Sequence, residues 1–116
     1  MALDQKALNE LLMLDPDGSE GLLAQIVHSY LKDASDILYR LRKATDAGDW
    51  GTLTRDAHSL KSTSLSVGAS AVGNAAAALE AAGKHQALEA CSDLIATLSA
   101  EFAEAEPLLR EVIARS

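Results

Sequence analysis

The chain has 116 residues, a formal net charge of −7 and only 3% aromatic residues. This length suits one domain with its own core, and the acidity disfavours nucleic acid as a partner because phosphate contacts need clustered lysines and arginines. No apolar run approaches the roughly 18–20 residues of a membrane span. One cysteine allows no internal disulfide, and the first residues lack a secretory pattern. We therefore expect a cytoplasmic protein with no membrane association.

Apolar residues recur at spacings of three and four along most of the chain, and no segment alternates apolar and polar residues. This pattern predicts helices and no strands. The first helix is expected over 3–14, with Asp4 as its N-cap. Residues 15–18 have the composition of a turn, and Ser19 is expected to cap the second helix.

The second predicted helix is long and runs to about residue 47. Asp33 and Ser35 lie within it and could mark a kink or a second cap, so the pattern leaves open one bent helix or two. Gly48 is expected to end it, since glycine adopts a positive φ at low cost. Asp49 then caps a third helix, predicted over about 50–67.

Gly68 is expected to end the third helix, and a fourth is predicted from about residue 70 until Gly83 ends it. The last helix is expected to start near His85 and to be kinked or interrupted by Pro107, which removes a backbone donor. Short connections between long amphipathic helices favour antiparallel neighbours. The predicted fold is all-α, an up-down bundle of four helices with a short additional N-terminal helix.

Chemically useful side chains share one strip of the third helix. Lys61 and Ser62 follow His58 by three and four residues, which places them on its side of the helix. Thr54 lies one turn before the histidine and Leu65 two turns after it. The spacing alone is also compatible with an ordinary surface histidine beside a solvated lysine and serine.

This stretch resembles the signature of histidine phosphotransfer (HPt) domains, in which a histidine is followed by x-Leu-Lys-Gly-Ser and then by Gly-Ala. The matching residues are His58, Leu60, Lys61, Ser62, Ser64, Gly68 and Ala69. Ser62 replaces the family's glycine, and Thr63 stands before Ser64. Residues 47–50 and 79–80 also fit the family's Gly-Asp break and Leu-Glu pair, so the resemblance covers roughly residues 19–100.

Counting along the two helices brings a carboxylate to the histidine. His58 lies eleven residues before Ala69 and Glu80 lies eleven after it, so an antiparallel hairpin puts them at the same height. Glu80 would then accept the Nδ1–H bond and leave Nε2 free for attack on phosphorus. The alternative is a simple i, i+4 pair between Glu80 and Lys84.

The resemblance implies that His58 is the phosphoacceptor. Lys61, one turn away, is expected to lie against the phosphoryl oxygens, and Ser62 and Ser64 are expected hydroxyl donors, although Ser64 is nearer the apolar face. Small and exposed residues beside the histidine are expected to form the partner docking surface: Thr54, Leu65, Gly73, Ala76, Ala77 and Lys84. The sequence has no phosphate-binding loop, so no ATP site and no cofactor are expected. Mg²⁺ is expected in the partner receiver domain instead.

The predicted function is that of a monomeric phosphorelay intermediate, not an enzyme. It takes a phosphoryl group from one aspartyl-phosphate receiver of a hybrid histidine kinase and passes it to a response-regulator receiver. Two alternatives stay open: an adaptor that binds receivers without carrying phosphate, and a substrate domain phosphorylated directly by a chemotaxis-type kinase.

The remaining candidate groups are expected to be structural. His28 and His85 are expected to be exposed, and no pair of histidines has metal-ligand spacing, so no metal site is expected. Cys91 falls in phase with apolar neighbours and is expected in the core. Trp50 follows a helix cap and is expected to pack there, with docking as the alternative.

Overall fold

Five α-helices build the protein, which the computed structural model describes over residues 3–115. No strand occurs in that range. The helices are α1 (Gln5–Leu12), α2 (Leu22–Ala47), α3 (Trp50–Ser66), α4 (Ser70–Lys84) and α5 (Leu88–Arg115). Helix α3 packs against α4, α4 against α5, and α2 against both α3 and α5, while α1 contacts α3 at one end. The predicted four-helix bundle with a short N-terminal helix is confirmed.

The core is almost entirely aliphatic. Each of the four long helices turns one side inward, because its apolar residues repeat every three or four positions. The largest side chains with no significant exposure include Leu41, Leu53, Leu60, Leu79, Leu98 and Leu109. The opposite side of each helix is polar and faces solvent. This arrangement decides which residues of α3 and α4 reach the surface, and therefore which can take part in chemistry.

The connection between α1 and α2 corrects one predicted cap. Asp4 caps α1 as predicted, accepting a bond from the backbone N–H of Lys6. Ser19 does not cap α2, which starts at Leu22 after a left-handed Gly21. Asp15 does so from the turn, because its buried carboxylate accepts bonds from the backbone N–H groups of Glu20 and Leu22, each 3.1 Å from Oδ2.

Helix α2 is a single continuous helix of 26 residues. Asp33 and Ser35, where the sequence pattern leaves a break open, are exposed and lie within this helix. Gly48 ends the helix at a φ of +67°, as predicted. Asp49 then caps α3 by accepting a bond from the N–H of Thr52 at 3.2 Å.

A tight turn joins α3 to α4 and makes them antiparallel. Gly68 has a φ of +82°, which glycine adopts with little strain. The N–H of Ala69 donates to the carbonyl of Ser64 at 2.8 Å, and the N–H of Asp4 donates to the carbonyl of Gly68 at 2.7 Å. The turn is thus tied both to α3 and to the residue that caps α1.

Two predictions near the C-terminal half are corrected by the structure. Gly83 is the buried, second-last residue of α4, which ends at Lys84, and His85 follows as its C-cap rather than starting α5. Pro107 does not interrupt α5, which continues through it; a kink at this proline stays a prediction. The flanking residues Ala105 and Leu109 are both buried, so packing on either side holds the helix together despite the missing backbone donor.

Candidate functional site

His58 stands at the edge of the bundle in the middle of α3. The preceding residue, Ala57, is fully buried, and Leu60 is buried two residues further on. The histidine itself points outward with 58% of its side chain exposed. The backbone is therefore anchored by packing, while the imidazole is accessible to a partner in solution.

Glu80 of α4 holds one nitrogen of this ring. Nδ1 of His58 lies 3.2 Å from Oε1 and 3.1 Å from Oε2 of the carboxylate, so the contact predicted from equal helix arms is present. An ionised carboxylate can only accept, so Nδ1 carries the hydrogen and the neutral ring keeps its lone pair on Nε2. Within residues 3–115 no hydrogen bond occupies Nε2.

Two lysines approach the same carboxylate. Nζ of Lys61 lies 3.7 Å from Oε1, and Nζ of Lys84 lies 3.6 Å from Oε2. The predicted alternatives for Glu80, a bond to His58 and a pair with Lys84, thus occur together. Partial burial raises the pKa of Glu80, but the bond from His58 and the charges around the carboxylate outweigh it and lower the pKa. The site therefore favours the charged carboxylate.

Ser64 lies in the interior, which contradicts the expectation that its hydroxyl contacts phosphate. The residue has no exposure, and its Oγ lies 2.7 Å from the hydroxyl of Tyr30 on α2. Burial raises the pKa of Tyr30 to about 12, partly offset by this bond. The apolar periodicity places Ser64 near the inward side of α3, and packing by α2 closes over it. Ser62 remains exposed one turn from His58.

The predicted docking residues divide into surface and interior. Thr54, Leu65, Ala77 and Lys84 have exposed or partly exposed side chains, whereas Gly73 and Ala76 are buried. Gly73 lies beneath Leu65, since a Cβ built on it would be 2.7 Å from Cδ2 of that leucine. The prediction that these two residues are exposed in the docking surface is wrong, because Leu65 covers Gly73, and Ala76 lies in the core.

A groove on the side of α3 that faces α2 was not predicted. It runs between α2 and α3, encloses about 480 Å³ and has a mostly apolar lining that includes Leu22, Ile26, Ser62 and Val67. The signal was present in the sequence, because Leu22 and Ile26 follow each other at i, i+4 on a helix face. The sequence could not show that Leu22 and Ile26 remain partly exposed after the helices pack.

The other candidate groups lie apart from this site. Cys91 is fully buried in the core, and His28 and His85 are exposed, as predicted. Trp50 is partly buried against the core. Over residues 3–115 no group of histidine, cysteine or acidic side chains could hold a metal ion. None of the helices in that range is long and apolar enough to cross a bilayer.

Comparison with known proteins assigns the chain to a family. The family model described as Hpt domain matches residues 25–111. Histidine-containing phosphotransfer protein B from Pseudomonas aeruginosa PAO1 superposes with a TM-score of 0.88 at 26% identity, over 98% of this chain and 96% of that one. The maize phosphotransfer protein ZmHP2 gives 0.86 at 24%, over 97% and 83%.

A further structural likeness is to a putative histidine-containing phosphotransfer protein from rice, with a TM-score of 0.85 at 18% identity over 97% of this chain and 79% of that one. No curated protein sequence matches the chain significantly. The maize and rice likenesses speak for the fold alone. The family match spans three quarters of the chain and contains both His58 and Glu80. The chain therefore belongs to the Hpt domain family, the histidine phosphotransfer domains of two-component signalling.

Proposed function

We propose that the protein is a phosphorelay carrier in which His58 accepts a phosphoryl group from an aspartyl-phosphate receiver domain and passes it to a second receiver. The observation that carries this proposal is the exposed imidazole whose Nδ1 is bonded to Glu80. That bond leaves Nε2 as the nucleophile, with its lone pair on the part of the ring that a partner can reach.

In the first step Nε2 of His58 attacks the phosphorus of the donor's aspartyl phosphate. The N–P bond forms as the P–O bond to the aspartate breaks, and the donor's carboxylate leaves with the electron pair. The imidazole becomes a cation whose Nδ1–H stays on the carboxylate of Glu80. The second receiver reverses the step, because its aspartate attacks phosphorus and returns the neutral ring.

Lys61 supplies the compensating charge in this scheme. It lies one turn from His58, and its ammonium group is already held on the site side of α3 by Glu80 at 3.7 Å. The three phosphoryl oxygens bring negative charge to this point, and an ammonium group is a suitable point charge for them. Ser62, exposed one turn from the histidine, is in reach as a hydroxyl donor.

The partner supplies the remaining chemistry. The sequence contains no phosphate-binding loop for ATP, so the phosphoryl group must arrive already activated. Mg²⁺ belongs to the receiver, where it binds the aspartyl phosphate. In this proposal the donor receiver is part of a hybrid histidine kinase, and a single copy of the chain acts as the carrier.

The test is transfer from a receiver domain that holds radiolabelled aspartyl phosphate. We expect label to appear on this chain, to be labile in acid and stable in base, and to disappear in His58→Gln. The variant should fold normally, because the side chain lies off the core. His28→Gln is the matched control, since it removes an exposed histidine from α2 and should keep full labelling.

Other outcomes would redirect the proposal. Full labelling of His58→Gln would refute the assignment of the phosphoacceptor. Binding to several receivers without any label would identify a phosphate-independent adaptor. Label acquired from a kinase and ATP but from no receiver would identify a kinase substrate domain.

A further inference from the structure

We infer that Gly83 is a positioning residue for His58. By allowing α4 to lie directly against α3, it sets the separation at which Glu80 holds Nδ1 of the imidazole. The inference rests on the proposed function, because the position of Glu80 matters to transfer only if Nε2 is the nucleophile. It concerns a buried residue that lies against Leu53 and Thr54 rather than against the histidine.

The contact between α3 and α4 follows a regular antiparallel register. Thr54 faces Gly83, His58 faces Glu80, and Leu65 faces Gly73. Gly83 follows Glu80 by three residues, so the two lie on the same side of α4 one turn apart. The distance between the two helices at Gly83 therefore bears directly on their distance at the histidine, one turn away.

No side chain larger than hydrogen fits at this point. A Cβ on Gly83 would overlap Cδ2 of Leu53 and would lie 2.9 Å from Cγ2 of Thr54. Leu53 is fully buried, so it has no solvent to move into. The hydroxyl of Thr54 donates to the carbonyl of Trp50 at 2.9 Å, which fixes the rotamer and with it the methyl group. We therefore expect the helices themselves to separate.

Gly73 provides the contrast on the same helix. A Cβ there would lie 2.7 Å from Cδ2 of Leu65, which is also too close. Leu65 is 42% exposed, however, so its side chain has room to swing towards solvent without moving α4. The two glycines thus look equivalent in sequence but differ in what a methyl group would displace.

Separation at Gly83 would be felt at the site. The bonds from His58 to Glu80 are 3.1 and 3.2 Å long, near the upper limit for a hydrogen bond to a ring nitrogen. We expect an outward shift of α4 that clears the overlap at Gly83 to lengthen both bonds past that limit. The ring would then lose its acceptor and divide between the Nδ1–H and Nε2–H tautomers.

The tautomer can be measured directly by ¹⁵N NMR of protein labelled in histidine, in alkaline buffer where imidazole is neutral. His58→Gln assigns the signals. In the wild type we expect Nδ1–H to be the dominant form, and in Gly83→Ala we expect that dominance to be lost. Gly73→Ala and Gly51→Ala should keep it; a Cβ at Gly51 meets nothing closer than 3.9 Å.

A second variant allows the same measurement if Gly83→Ala does not fold. The measurement is then made on Gly83→Ala combined with Leu53→Val and Thr54→Ser, which removes both methyl groups that the new Cβ meets. Recovery of the fold with the wild-type tautomer would support the inference. Folded Gly83→Ala with unchanged signals, or the folded triple variant with mixed tautomers, would overturn it.

The readout is independent of phosphoryl transfer, because it uses the unphosphorylated protein. Failure of transfer in the wild type would refute the proposed function without altering the tautomer result. An unchanged tautomer in Gly83→Ala would refute the positioning role while transfer to His58 stood.

Discussion

Glu80 meets His58, Lys61 and Lys84 with a single carboxylate. Ion pairs with partly exposed partners contribute only about 0–1 kcal/mol each to stability, so holding the fold together does not explain this arrangement. A role in orienting the site explains the arrangement better, because two of the three contacts hold His58 and Lys61, the groups that the proposed transfer uses. The carboxylate keeps the imidazole in one tautomer and keeps an ammonium group beside it.

Lys61→Ala tests the charge compensation. We expect phosphoryl transfer to slow by about tenfold or more, since bonds to charged groups contribute roughly 1.5–3 kcal/mol, while the urea midpoint stays nearly constant. The control is Lys32→Ala, which removes an exposed lysine paired with Asp36 on α2 and should leave the rate unchanged. A wild-type rate in Lys61→Ala would remove this lysine from the site.

Glu80→Gln tests the electrostatics through pH. Because the pKa of Glu80 is lowered from its ordinary 4.5 in the folded protein, the charged carboxylate stabilises the fold above that value, and the contribution is lost as pH falls through the folded pKa. The urea midpoints of wild type and variant should therefore differ near neutrality and converge in acid. A difference that is constant with pH would contradict the prediction.

A matched control accompanies that titration. Glu104→Gln neutralises an exposed carboxylate on α5, away from the site. Its midpoint should follow that of the wild type throughout the acid range, so that convergence can be assigned to Glu80 rather than to net charge.

Tyr30 of α2 contacts both α3 and α5 in the interior of the bundle. The hydroxyls of Tyr30 and Ser64 join α2 to α3 at 2.7 Å, and the ring of Tyr30 packs edge-on against Phe102 of α5 at 6.2 Å between centroids. The bond holds α3, the helix that bears His58, against α2. It also explains why a serine occupies a fully buried position.

Single and double substitutions at this contact give the next prediction. Tyr30→Phe and Ser64→Ala each leave one buried hydroxyl without a partner, so we expect each to cost about 1–3 kcal/mol in urea unfolding. The double variant should cost less than the sum of the two. Phosphoryl transfer should be retained by the folded variants, and strictly additive costs would show that the hydroxyls do not interact.

Helix positions were predictable from the sequence to within a few residues, but several helix ends were not. The spacing of apolar residues marks a helix because burial follows its period. Ser19 looked like a cap by local composition, yet Asp15 reaches the first N–H groups from further away. Gly83 was expected to end α4, yet the helix runs on to Lys84 and side chains of α3 lie against the glycine. Both depend on contacts beyond the local sequence.

Across the whole molecule, stability depends on an aliphatic core with one free, buried cysteine and few aromatic rings. Leu41→Ala removes a fully buried side chain from α2, and we expect a cost of about 2–5 kcal/mol. Leu14→Ala, at an exposed leucine in the turn after α1, should change little. Equal urea midpoints for the two variants would contradict this dependence on core packing.

The part of the site that could be predicted is the part that follows from counting residues along α3 and α4. Equal helix arms placed Glu80 opposite His58, and the bond is present. Ser64, Gly73 and Ala76 were misplaced, since counting fixes height along a helix but not rotation about its axis or what a neighbour covers. The groove between α2 and α3 escaped prediction for the same reason.

The turn at 67–69 has a consequence for how the family can vary in length. Each residue added to an α-helix lengthens it by about 1.5 Å and rotates all later residues of that helix by about 100°. An insertion in this turn that propagated into α4 would carry Glu80 away from His58 even with both residues intact. We expect natural relatives that keep the pair to keep this turn's length, and to place their insertions between α1 and α2 or between α4 and α5.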